Sequence, residues 1–226
     1  KCMVELLGKP LLFHQLEILR KNNINDITVV TGYLNEKIVA DGIKKINNPK
    51  YNSTNMVYSL FCAEEVMSSD EDLLVIYGDI VYDDKVIKEV KNCNYDISVV
   101  VDIFWKKYWS ARMNNPLSDA ETLKIDDNGN IFELGKKPNS FDEIEGQYIG
   151  MIKLKKSFIE TFKDYYKDLD KNELYENNDF ENMYMTSFLD LITKKLKPIK
   201  PIFIKNGWIE IDTPDDLKFH KFLSNI

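Results

Sequence analysis

The run LLVIYGDIVYDD, residues 73–84, decides the architecture. Leu73-Leu74-Val75-Ile76-Tyr77 is continuously apolar, without the alternation of a half-exposed strand, and so predicts a parallel-type strand buried on both faces. It stops at Gly78-Asp79, where a glycine lets a ligand approach the backbone and a carboxylate follows the strand's carboxyl end. Toward the N-terminus, Pro10 suits the first position of a helix that reaches Lys21, and Ile27 to Thr31 is a second buried strand ending at Gly32. Asn35 can cap a helix running through Ile46, and a further helix is expected over about Met56 to Met67. Toward the C-terminus, a helix over Asp84 to Lys91 and a strand over Ile97 to Val101 continue the alternation, which predicts an α/β fold with helices on both faces of a mostly parallel sheet.

The middle of the chain changes character. Thr122 to Ile125, the Asp127-Asn128-Gly129-Asn130 turn and Ile131 to Leu134 predict a β-hairpin, because Asn-Gly supplies the positive φ that a tight turn needs. A strand over Tyr148 to Leu154, helices over Lys156 to Leu169 and Phe180 to Lys195, strands over Pro201 to Ile204 and Trp208 to Ile211, and a helix after Thr213-Pro214 complete the order. With no repeat or linker, residues 1–226 are expected to form one domain carrying a small inserted β-rich lobe at about 102–150.

Composition excludes several classes. Among 226 residues, 44% are hydrophobic and no apolar run approaches the roughly 18 residues of a membrane span. Thirty basic against 37 acidic side chains give a net charge of -7 with no basic stripe, which argues against nucleic acid as a partner. Cys2, Cys62 and Cys93 are widely spaced, and only His14 and His220 could join them on a metal, so reduced packing thiols in cytoplasm are expected.

Chemistry is expected at the strand ends. Asp79 follows one strand, and Glu210 and Asp212 close another, two residues apart and therefore on one face. Carboxylates from two strand ends suit Mg²⁺, which takes oxygen ligands and shares them with phosphates. The structural alternative is Asp79 as a turn former and Asp212 as the N-cap of the last helix. Lys1, Lys9, Lys136 and Lys137 all fall beside element ends, where phosphates would meet them. WKKYWSARMNNPLSDAET, residues 105–122, mixes aromatic rings with both charges and suits a cationic head group; its alternative is one apolar helix face carrying Trp105 and Trp109.

In order along the chain, KCMVELLGKPLLFHQLEIL, VIYGDIVYDD, IFELGKKP, EGQYIGMIKL and GWIEIDTPDDL resemble successive motifs of the sugar-nucleotidyltransferase-like superfamily. YNSTNMVYSL and NPLSDAETLKI are most similar to small bacterial cytidylyltransferases acting on phosphocholine, 2-aminoethylphosphonate or phosphoglutamine. The resemblance implies a Rossmann-like mixed, mostly parallel sheet of the nucleotide-diphospho-sugar transferase type. It implies CTP as donor, a small phosphorylated amine or amino-acid acceptor, pyrophosphate as leaving group and products used for cell-surface decoration.

By position it implies that Asp79 and Asp212 hold Mg²⁺, with Glu210 as an additional ligand. Lys1 would bind the triphosphate and Lys137, or less favourably Lys136, the acceptor phosphate. Tyr51, Thr54, Asn55, Ser59 and Gly78 fall where the nucleotide binds. Trp109, Arg112, Asp119, Glu121, Lys136 and Tyr148 would read the acceptor, the acids favouring an amine and Arg112 a carboxylate. The family's first strand and glycine-rich signature loop do not appear before Lys1, so roughly 20 to 25 further residues are expected there. A homodimer fits the resemblance. A sugar-1-phosphate nucleotidyltransferase and a non-catalytic nucleotide-binding domain are the competing functions.

Overall fold

A computed structural model describes residues 1–223. In chain order the elements are β1 (Glu5–Leu6), β2 (Lys9–Pro10), α1 (Leu11–Lys21), β3 (Ile27–Thr31), β4 (Ile43–Asn47), α2 (Met56–Phe61), β5 (Leu73–Ile76), β6 (Ile80–Tyr82), α3 (Asp84–Asn92), β7 (Ile97–Asp102), α4 (Trp105–Arg112), β8 (Leu123–Ile125), β9 (Ile131–Leu134), β10 (Gln147–Leu154), α5 (Ile159–Asp168), α6 (Met185–Lys195), β11 (Lys200–Ile204) and β12 (Trp208–Glu210). The longest sheet has the order β11-β7-β10-β5.

That sheet is mixed, as the resemblance implied. β11 runs parallel to β7, while β10 lies antiparallel to both β7 and β5, so three strands point one way and β10 the other. Side chains of adjacent residues leave a strand on opposite faces. Val100 and Met151 accordingly enter one core with Tyr82, Tyr108 and Trp208, whereas Val99, Val101 and Ile152 enter a second with Phe162 and Phe188. The sheet is covered on both faces, which is why Leu73 to Tyr77 reads as a continuous apolar run.

Three expectations about elements need correction. The helix expected from Asn35 to Ile46 is a short 3₁₀ turn, Asn35–Lys37, followed by β4, which pairs parallel to β3 with Ile27 opposite Ile43. Gly42 at φ +70 interrupts a helix there, and Ile43 and Ile46 are the half-buried residues of β4, one on each face. The helix expected over Met56 to Met67 ends at Phe61, with only a 3₁₀ turn at Glu64–Val66 beyond it. β6 was not expected at all. It is wholly buried and pairs antiparallel with β12, setting Ile80 opposite Glu210.

The β6 and β12 pairing positions the chemistry. The buried amide of Gln15 on α1 donates to the carbonyls of Tyr77 (2.8 Å) and Ile80 (2.6 Å), fixing both sides of the bend that carries Asp79. At the other end, Asp102 closes β7 and accepts from the Trp208 indole (3.0 Å) and the Asn206 amide (2.9 Å), which fixes the start of β12. Burial raises the Asp102 carboxyl above its ordinary range, although these N–H groups work against that shift.

Candidate active site

Asp79 leaves the bend before β6, and Glu210 and Asp212 close β12. The ladder brings one oxygen of each within 4.8 Å of the others, and the Ile211 amide donates to the Asp79 carbonyl at 2.9 Å. Among the described residues, Asp79 Oδ1 is buried and has no hydrogen-bond partner. A converging set of carboxylate oxygens with one unsatisfied lone pair fits a hard, oxygen-preferring cation such as Mg²⁺.

Two cations hold the cluster together. Lys1 Nζ lies 2.6 Å from Asp212 Oδ1 and 3.3 Å from Asp79 Oδ2. Arg112, whose side chain is 2% exposed, donates to Glu210 (3.0 Å), Asp212 (2.8 Å) and Asp216 (2.8 Å). Asp216 in turn accepts from the backbone of Asp212 (3.0 Å) and Thr213 (2.7 Å). The Tyr108 hydroxyl donates to the Glu210 carbonyl and accepts from the Glu210 amide. With all four carboxylates ionised, Lys1 and Arg112 leave two negative charges over, the charge of one divalent cation.

The carboxylates are tuned apart. Burial pushes Glu210 up to about 7, helped by repulsion from Asp212 and Asp79 and opposed by Arg112. Burial also penalises ionised Asp212, but its bonds to Lys1 and Arg112 prevail and hold it below the usual range. Lys1 is likewise partly desolvated, yet its bonds to Asp212 and Asp79 keep its ammonium charged to higher pH than usual.

The expected acceptor residues divide. Trp109 is buried at 4% exposure, in ring contact with Trp105, Tyr108 and Trp208, and its indole donates to Asp119 at 3.2 Å. It is a core residue and no open platform for a head group. Arg112, expected to read an acceptor carboxylate, is engaged by three acids of the protein itself. Glu121 is pushed up to about 7, by burial first and then by Glu176, Asp119 and Glu210, against a Thr186 hydrogen bond. Tyr148 sets its ring edge-on to Tyr77 at 5.8 Å. Lys136 pairs with Glu133 at 2.8 Å, and Lys137 donates to the carbonyls of Leu117 (2.6 Å) and Ser118 (2.5 Å).

On the expected nucleotide side, Tyr51 is 46% exposed, with its ring 6.3 Å from that of Tyr33. Thr54 and Ser59 each accept from the buried Asn48 amide at 3.0 Å, and Asn55 Oδ1 accepts from the Met56 amide at the start of α2. These polar groups shape the loop from within. A Cβ added at Gly78 would stand 3.5 Å from Cys2 Cβ, an ordinary contact.

Residues 1–118 match the MobA-like NTP transferase domain. The chain is 43% identical to a CTP:phosphoglutamine cytidylyltransferase of Campylobacter jejuni over 96% of its own length and 89% of that protein's. The chain belongs to the MobA-like NTP transferase family. Solved structures agree on the fold of this transferase. An inositol-1-phosphate CTP transferase from T. maritima has a TM-score of 0.73 over 98% of this chain and 85% of that one, at 18% identity. A CTP:phosphocholine cytidylyltransferase from Streptococcus pneumoniae has a TM-score of 0.68 over 96% and 86%, at 19% identity.

The family match ends at residue 118, so the transferase completes its acid cluster with Glu210, Asp212 and Asp216 from beyond it. Asp216, Tyr108, Asn48 and Glu176 were missed in the sequence. Only Asp216 had a local signal: Thr213-Pro214-Asp215-Asp216 has capping-box spacing, and the structure shows Thr213 as the cap with Asp216 bonded back to it. Asp212 is therefore not the N-cap.

Proposed function

We propose that the protein transfers CMP from CTP to a small phosphorylated amine or amino-acid acceptor and releases pyrophosphate. The observation that carries this is the convergence of Asp79, Glu210 and Asp212 in a chain 43% identical, nearly end to end, to a CTP:phosphoglutamine cytidylyltransferase. An acceptor phosphate oxygen attacks the α-phosphorus in line; the new P–O bond forms as the bond to the β-phosphate oxygen breaks, and pyrophosphate leaves with the electron pair. The nucleophile is already anionic at neutral pH, so positioning and charge neutralisation dominate.

Asp79, Glu210 and Asp212 would hold Mg²⁺, which when bound neutralises triphosphate charge and the charge that develops on the leaving group. Lys1 adds a cation beside the trio for the triphosphate, while Arg112, Asp216 and Tyr108 hold the trio's geometry. Lys137 bonds only neutral carbonyls, for which an arriving acceptor phosphate is a stronger competitor. The acids Asp119, Glu121 and Glu176 favour an amine-bearing acceptor over the phosphate of an uncharged sugar. CTP supply places the reaction in cytoplasm.

The test is pyrophosphate release with Mg²⁺ and each of CTP, UTP, ATP and GTP, crossed with phosphocholine, phosphoethanolamine, aminoethylphosphonate, phosphoglutamine and glucose-1-phosphate. Turnover with CTP and an amine-bearing acceptor is expected. Turnover only with the sugar phosphate would replace this proposal with a sugar enzyme, and turnover with none would leave a nucleotide-binding domain.

A further inference from the structure

Gln15 breaks the apolar stripe of α1. Leu11 and Leu19 turn into the same core as Ile80, and Gln15, one turn from each, lies on the same face at 6% exposure. A leucine would complete that stripe, whereas a buried amide costs free energy unless its N–H groups find acceptors. Both N–H groups of Gln15 do. Its Nε2 donates to the carbonyl of Tyr77 at 2.8 Å and to that of Ile80 at 2.6 Å. Those two carbonyls flank Gly78-Asp79, so one side chain of α1 grips the bend on both sides of a carboxylate of the trio.

The grip matters because side-chain bonds do little to aim the Asp79 carboxylate. Oδ2 meets Lys1 at 3.3 Å, the longer of the two Lys1 contacts, and Oδ1 is buried without a partner among the described residues. The direction of the carboxylate is therefore set by the backbone, which here contains Gly78, the residue type with the most conformational freedom. Neighbouring segments pin part of the bend: the Tyr77 amide donates to the Gly150 carbonyl at 2.9 Å, and the Asp79 carbonyl accepts from the Ile211 amide at 2.9 Å. Gln15 adds the carbonyls on either side, fixing the peptide plane that enters Gly78 and the one that leaves Ile80.

We infer that Gln15 is a positioning residue of the acid trio, one that acts through the bend to hold the Asp79 carboxylate within reach of Glu210 and Asp212. This rests on the trio's holding the metal for CMP transfer. Groups that orient a metal ligand from behind are worth about 10–100-fold in metal affinity or activity.

The experiment uses Gln15→Met, which keeps the length and suits the apolar stripe but has no N–H, beside Leu19→Ala, which loosens the same helix without a bond to the bend. Mn²⁺ affinity is followed by electron paramagnetic resonance without nucleotide or acceptor, together with the unfolding midpoint and the steady-state constants. Expected for Gln15→Met are Mn²⁺ binding weaker by about tenfold or more, kcat lower by a similar factor and an unchanged acceptor KM. Leu19→Ala should lower the unfolding midpoint and leave Mn²⁺ affinity as in the wild type. A fall in Mn²⁺ affinity of less than about threefold in Gln15→Met, or an equal fall in Leu19→Ala, would overturn the inference. Should Gln15→Met fail to fold, Gln15→Asn, whose amide stops one methylene short of the carbonyls, is judged by the same readouts. Should the wild type bind Mn²⁺ yet turn over no CTP, CMP transfer is what fails and the Mn²⁺ comparison alone decides Gln15; a wild type that binds no Mn²⁺ ends the inference.

Discussion

Single residues set the electrostatics. Arg112 spans three carboxylates with a side chain that is almost wholly enclosed, and lysine, with one point charge, cannot reproduce that fork. Arg112→Ala leaves buried Asp216 uncompensated, while Asp212 is partly screened by solvent, and should destabilise the protein by about 1–2 kcal/mol in urea unfolding; an unchanged midpoint would mean that solvent screens the whole cluster. Asp79→Asn removes a carboxylate from the trio while keeping its shape. Turnover should fall by roughly a hundredfold or more with little change in unfolding midpoint, and Mn²⁺ binding followed by electron paramagnetic resonance should weaken in parallel.

Glu121 gives a pH signature. Its carboxyl ionises near 7 in the fold against 4.5 in the open chain. A raised acid contributes stability that is complete below pH 4.5 and is lost as pH rises through about 7. Glu121→Gln removes that dependence. It should therefore be more stable than the wild type at pH 8, by up to about 3 kcal/mol, with the advantage gone near pH 4.5. Melting temperatures across that range check it, and an advantage that grows toward low pH would refute the burial of this acid.

At the scale of elements, β10 does two jobs. It runs antiparallel between β5 and β7, and its ladder to β7 shifts register between Tyr148 and Ile152. Gly150 lies at that irregularity with φ +81, and a Cβ there would stand 2.5 Å from Tyr77 Cδ2. Gly150→Ala therefore meets both backbone strain and a ring packed beside the Gly78-Asp79 bend. A loss of about 2–3 kcal/mol is expected in denaturant titration, with reduced turnover because Tyr77 must move. An unchanged midpoint would show that the bulge relaxes freely. The Asn35 to Ile46 stretch teaches the complementary point: its apolar residues fit helical spacing, yet Gly42 and a neighbouring strand with a free ladder edge drew it into β4. A tertiary partner outweighed local periodicity.

At the scale of the whole molecule, the acid cluster joins distant parts of the chain, the bend at Asp79, the end of α4 at Arg112 and the end of β12. A ligand that bridges them binds only the folded state and must stabilise it by mass action. Mg²⁺ and CTP together should raise the unfolding temperature, at saturation near 100 Kd by an amount equivalent to about 2.7 kcal/mol. Asp79→Asn should lose most of the rise, and a rise of equal size in that variant would place the nucleotide elsewhere.

The sequence by itself determined the layered α/β character, the hairpin at Asn128-Gly129 and the position of Asp79, Glu210 and Asp212 at strand ends, because strand burial, turn chemistry and period-2 alternation are local properties of neighbouring residues. Only the tertiary structure decided which strand ends meet. The pairing of β6 with β12 joins segments far apart in the chain, and no local pattern carries that register. It also decided the fate of the aromatic and charged stretch at 105–122: from spacing alone Trp109 and Arg112 suit a ligand, but packing against Trp208 buries the ring and three carboxylates engage the guanidinium. Burial and charge pairing arise between elements, so the bond from Ser187 on α6 to Glu176 had no signal in the local sequence.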